Sequence, residues 1–234
     1  DAAATRLAGA IERALAYARA ITTTPTFELV MQYPARRHRI PGWEDALARY
    51  DAAASSGQER VFRRVLDRAT RPSPADFDAL AGIDLYTSAA LYCDLRPLPP
   101  DYPATLTAAA GLGGYELTHV LLALVWAEEN GCPPPLGAAA RAAIESEVAA
   151  IAGTPGPPPD LVIEAEAFLH LARRTDLLHP ALTDELLALQ LDDGGFPVVP
   201  ASIRSDWHPT GLALWVLLAV KDPGAPRVPL IAPD

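Results

Sequence analysis

Apolar residues recur along most of the chain at the three-to-four-residue spacing of a helical face. In residues 5–21, Leu7, Ile11, Leu15 and Ala18 lie at i, i+4, i+8 and i+11, while Arg6, Glu12, Arg13 and Arg19 fall largely on other faces. Residues 22–41 break this pattern with Thr, Pro and the basic cluster Arg36-Arg37-His38-Arg39, which reads as a solvated loop. Residues 43–53 and 58–69 predict two further helices. Pro72 and Pro74 then mark a turn, with Ser73 as N-cap of a short helix over 75–80.

From about residue 80 the pattern becomes repetitive. Segments 84–93, 115–130, 160–174 and 206–220 are apolar almost all round, which predicts helices buried on most sides. They alternate with the amphipathic segments 102–110, 136–151 and 181–191, and turns rich in Pro and Gly separate many of them. Such alternation of inner and outer helices is the signature of stacked helical hairpins. The expected architecture is all-α, with a single helical domain over 1–234. Residues 1–80 form its irregular N-terminal part, 81–221 the hairpin repeats and 222–234 a tail.

Composition narrows the class further. The 45 Ala and 32 Leu favour helix over an all-β fold. A hydrophobic fraction of 50% with 21% charged residues is too apolar for disorder. The net charge of −10 argues against nucleic acid or an anionic membrane as the main partner. No run reaches the roughly 18 apolar residues needed to span a bilayer. Lys221 is the single lysine among 19 basic residues, which reads as the coding bias of a GC-rich, bacterial genome. Cys93 and Cys132 each close a Leu-rich run and are followed by prolines; they are either a disulfide or two buried thiols. A disulfide would imply an extracytoplasmic protein, and the start at Asp1 rather than Met fits a removed leader or a trimmed chain.

The segment Gln190-Leu191-Asp192-Asp193-Gly194-Gly195-Phe196 resembles the repeat motif of the α/α-toroid superfamily, which includes triterpene cyclases and protein prenyltransferase β-subunits. Trp207-His208-Pro209-Thr210-Gly211-Leu212 is similar to the prenyltransferase segment whose His binds zinc. The resemblance covers residues 80–220 as helix alternation and 190–214 in residue type. It implies a reduced or open toroid, because the chain is short for six hairpins. Two features of those enzymes are missing: the Asp-x-Asp-Asp acid of the cyclases, and an Asp-x-Cys pair before His208. The fold can therefore carry over without the chemistry.

Ionisable groups on apolar helices are expensive to bury without partners. His119 and Glu164 are 45 residues apart, Glu164 and His208 44, so the repeat sets all three at about one level of successive inner helices. Glu166 and His170 share one helical face at i, i+4. The expectation is therefore a metal-dependent enzyme, an oxidoreductase or a hydrolase. His119, Glu166, His170 and His208 would ligate a divalent transition metal (Zn, Cu, Fe or Mn). Glu164 would serve as the substitute carboxylate or as a general base. The substrate would be a small molecule or a peptide. One alternative is a metal-free toroid enzyme acting on an isoprenoid or a glycan with a Glu/His acid/base pair; another is a non-catalytic peptide- or protein-binding repeat module. Asp84, Glu116, Asp160 and Asp206 recur near inner-helix starts as N-caps, or as an acidic rim supporting the histidines. Glu128 and Glu129 read as a solvated helix end, and Gly111-Leu112-Gly113-Gly114 as a turn into the next helix.

Overall fold

The computed structural model describes residues 2–21 and 24–233. Its regular elements are helices: α1 (Ala2–Ala20), α2 (Pro25–His38), α3 (Ala46–Ala53), α4 (Gly57–Phe62), α5 (Pro74–Asp78), α6 (Ile83–Leu91), α7 (Tyr102–Ala110), α8 (Gly114–Glu129), α9 (Ala138–Ala152), α10 (Asp160–Leu171), α11 (Leu182–Leu189) and α12 (Trp207–Lys221). There is no strand among the described residues, only one isolated bridge between Phe196 and Asp206. The fold is all-α, and the alternating apolar and amphipathic segments from residue 80 onward fall on α6 to α12.

Residues 22–41 differ from expectation. Positions 22 and 23 lie outside the described residues, and most of the remainder is α2 rather than a loop. Thr24 caps that helix, its hydroxyl accepting from the Phe27 N–H, and Pro25 stands in the first turn. Phe27 and Met31, one turn apart, are fully buried. The basic cluster sits in the last turn, where cations meet the negative end of the helix dipole. Pro34 inside α2 removes an N–H and leaves the Val30 carbonyl without its helical donor. The Trp215 indole N–H donates to that carbonyl at 2.7 Å. The helix over 58–69 is also shorter than its periodicity suggests. It passes at Arg63 into a 3₁₀ turn, where the Arg63 guanidinium bonds Asp51, Asp67 and Thr70.

Contacts divide the chain into two compact units, the first comprising Asp1–Trp43 and Ala149–Val228, the second Glu44–Val148 and Pro229–Asp234. In the first unit α12 is central and packs on α1, α2, α10 and α11. The approach to α2 requires Gly211, where a Cβ would come within 2.6 Å of Val30 Cγ1. The Gln190 motif fastens α11 to α1. Its amide donates to the carbonyls of Ala10 and Gly194, both at 2.8 Å, and its oxygen accepts from Arg13. Gly194 has φ +89°, and a Cβ there would lie 2.4 Å from the Arg13 carbonyl oxygen, so no other residue fits unstrained.

In the second unit α8 packs on α6 and α7. Asn130 extends its amide to the Ala90 and Leu91 carbonyls and so caps α6. Cys93 and Cys132 form a disulfide across these two helix ends, Cα atoms 6.2 Å apart. The Glu129 carboxylate receives the backbone N–H groups of Leu230 (2.7 Å) and Ile231 (3.1 Å), while Ala232 N–H donates to the Val65 carbonyl. Glu129 is thus not a plain solvated end: it holds the C-terminal segment, whose Leu230 and Ile231 are buried.

Candidate functional site: an imidazole between two carboxylates

In the first unit, α10 and α12 bring one histidine between two acids. Asp160 opens α10 after three prolines, and Glu164 follows one turn later on the same face. Both are buried, Glu164 at 1% exposure. Across from them Asp206 caps α12, its carboxylate accepting the His208 backbone N–H at 2.9 Å. Thr210 locks this start: its hydroxyl donates to the Asp206 carbonyl and accepts the Phe196 N–H. The His208 ring is thereby presented to α10.

His208 Nδ1 stands 2.8 and 3.0 Å from the two Asp160 oxygens. A carboxylate oxygen accepts, so Nδ1 carries the hydrogen. His208 Nε2 lies 3.6 Å from Glu164 Oε2, a charge contact longer than a hydrogen bond. Burial alone would lower the imidazole pKa. The Asp160 hydrogen bond and the charges of Asp160, Glu164 and Asp206 outweigh it, and the net shift is upward. The His208 side chain is 28% exposed, so the ring retains access to solvent. Trp207 meets it edge-on at 5.2 Å. Such a ring can release a proton from Nε2 while Asp160 fixes its orientation.

The other expected residues have different surroundings. The Glu166 carboxylate accepts the His179 backbone N–H at 3.1 and 3.2 Å and pins the turn after α10. Burial pushes its pKa up to about 7, against the opposing hydrogen bond and charge of His179. His170 is pushed down to about 4 by burial and by the Arg37 charge, and its Nε2 has no hydrogen-bond partner among the described residues. His119 belongs to the second unit, where Nδ1 pairs with the Tyr115 carbonyl one turn back at 2.9 Å. Among the described residues, no group of three or more His, Cys, Asp or Glu could hold a metal ion. A metal site built from His119, Glu166, His170 and His208 thus has no support from the described residues.

Of His119, Glu164 and His208, which the repeat spacing sets at one level, Glu164 and His208 lie 3.6 Å apart and His119 belongs to the second unit. Asp160 reads from the sequence as a cap or a supporting acid, and the available signal was its i, i+4 spacing to Glu164. No family model, curated protein or solved structure matches the chain.

Proposed function

We propose that the chain is an enzyme that transfers protons at His208. The observation that carries this reading is the partly exposed imidazole held by Asp160 at 2.8 Å with Glu164 at 3.6 Å from its other nitrogen. Against burial, the Asp160 hydrogen bond and the surrounding acids shift its pKa upward, which favours the imidazolium and suits a general acid. Asp160 orients the ring and supports its charge. Glu164 stabilises the protonated state and serves as the second carboxylate when the proton returns.

On this reading α6, α8, α10 and α12 act as inner helices and α7, α9 and α11 as outer ones, in a reduced or open α/α toroid. Small-molecule substrates follow, with the isoprenoid and glycan classes implied by the resemblance tested first. The disulfide supports an oxidising, extracytoplasmic compartment. Among the described residues no helix is long and apolar enough to cross a membrane.

The test is turnover of prenyl alcohols, prenyl diphosphates and aryl glycosides by wild type, His208→Ala and Glu164→Gln, with and without chelator. The expected result is chelator-resistant turnover that falls by about 10²–10⁴-fold in His208→Ala. Turnover that survives His208→Ala overturns the assignment, and loss on chelation favours the metal-dependent alternative. A binding-module reading draws on one further feature, a cleft of about 390 Å³ in the second unit lined by Cys93, Tyr102, Cys132 and surrounding prolines. Peptide binding that survives removal of His119, His170 and His208 would favour it.

A further inference from the structure

Two proline-rich runs of the second unit, 97–100 and 133–135, wall a cleft of about 390 Å³. Each run follows a cysteine, and the Cys93–Cys132 disulfide that joins the two arms is part of the same wall. A residue before a proline is held out of helical backbone, so Leu98, Pro99, Cys132, Pro133 and Pro134 stay extended. Just ahead of the second run, Asn130 ties the end of α8 to the carbonyls that end α6. The cleft is therefore set by covalent and backbone constraints. Its volume lies in the range of small-molecule sites, about 300–1,000 Å³.

The wall accepts hydrogen bonds and hardly donates them. Seven of the eleven lining residues are prolines, which have no N–H. The N–H groups of Cys93, Tyr102 and Cys132 are taken by the Ala90, Pro99 and Ala127 carbonyls, and the Tyr102 hydroxyl donates to the Tyr86 carbonyl at 2.7 Å. Leu98 is the one lining residue with an N–H left to offer among the described residues. Against this, the carbonyls of Pro97, Leu98, Pro133, Pro134 and Pro135 receive no hydrogen bond among the described residues. No charged side chain lines the cleft, so a charged ligand would shed water there without a counter-charge. Asp94, next to Cys93, is engaged by Arg64 at 2.7 Å. The two sulfurs make favourable contacts with aromatic rings. The complement of such a wall is an uncharged ring that brings its own donor.

We propose that this cleft binds a neutral aromatic small molecule that carries a hydrogen-bond donor, such as a phenol. The proposal is independent of the proton-transfer reading, because every lining residue belongs to the second unit and His208 to the first. The test is titration of 2-naphthol into the full chain, followed by proton–nitrogen NMR. Beside it runs 2-methoxynaphthalene, in which a methyl group replaces the donated hydrogen. Saturable shifts are expected at the N–H groups of Leu98, Tyr102 and Cys132. The ether should bind about 5- to 10-fold more weakly, the worth of one hydrogen bond. Leu98→Arg, which fills the cleft with donors of its own, should weaken 2-naphthol by at least about the same factor, with circular dichroism as the control for folding. Equal affinity for the phenol and the ether overturns the proposal, since an apolar surface alone would bind both. So do shifts that spare the cleft, or unchanged affinity in Leu98→Arg. Self-association of the chain that Leu98→Arg abolishes overturns it too, by making the cleft a contact between copies.

Discussion

The bond from Trp215 to Val30 offers a quantitative test of how α2 is tolerated with a proline inside it. Trp215 is 5% exposed, and its indole replaces the donor that Pro34 lacks. Trp215→Phe keeps an aromatic ring near Tyr33 and Phe168 and removes the donor. Orphaning this part-buried carbonyl costs up to about 1–3 kcal/mol, and the smaller ring adds a cavity cost. Pro34→Ala restores an N–H four residues after Val30. In the Trp215→Phe background this N–H recloses the helical bond and recovers the orphan cost. In wild type the carbonyl is already served, so the same substitution brings less. Its own propensity effect, up to about 3 kcal/mol, cancels in the cycle. Urea unfolding of the four proteins, followed by circular dichroism, should give a coupling of about 1–2 kcal/mol. Coupling below about 0.5 kcal/mol, with equal m-values, would refute the idea that the indole substitutes for the missing helical donor.

Three further outcomes are expected. The His208 imidazole should titrate above 6.5 in proton NMR, and Asp160→Asn should bring it down. Because the folded value is the raised one, the stability advantage over Asp160→Asn is full below about pH 6.5 and disappears as pH rises through the folded value. An advantage that instead grows with pH would contradict the pairing. Reducing the Cys93–Cys132 disulfide, which closes a 39-residue separation, should cost about 4 kcal/mol by loop entropy, measured as a shift in the urea midpoint of the second unit. Glu129→Ala should speed amide exchange at Leu230 and Ile231 by about 10–100-fold, matching the loss of charge-assisted bonds worth about 1.5–3 kcal/mol, with α8 little changed.

The helices from residue 80 onward were legible because burial on nearly every side leaves long apolar runs that only a core helix explains. The capping of α5 by Ser73 and of α12 by Asp206 was legible too, because those signals are local. What escaped the sequence depends on partners far along the chain. Helix α2 is masked by its proline and its basic cluster, and its orphaned carbonyl is served by Trp215, which no local rule foresees. Glu129 reads as a solvated end until Leu230 and Ile231 supply their N–H groups. At the site, repeat spacing sets Glu164 level with His208, and the two meet, but it sets His119 there as well, a residue of the second unit. Periodicity cannot report rotation about the helix axis at the level of single contacts, and so Glu166, two positions from Glu164, was grouped with His170 although its carboxylate holds the His179 backbone.

The packing of α1 on α12 has a kinetic side. Helix α1 ends at Ala20 and α12 begins at Trp207, so α1 is completed by a helix made much later in the chain. At synthesis rates of ~5–20 residues per second, the buried face of α1, carrying Ile11 and Ala14, waits on the order of 10–40 s for its partner. The second unit likewise closes only when Leu230 and Ile231 emerge. During translation the buried face of α1 is open to non-native burial until α12 emerges.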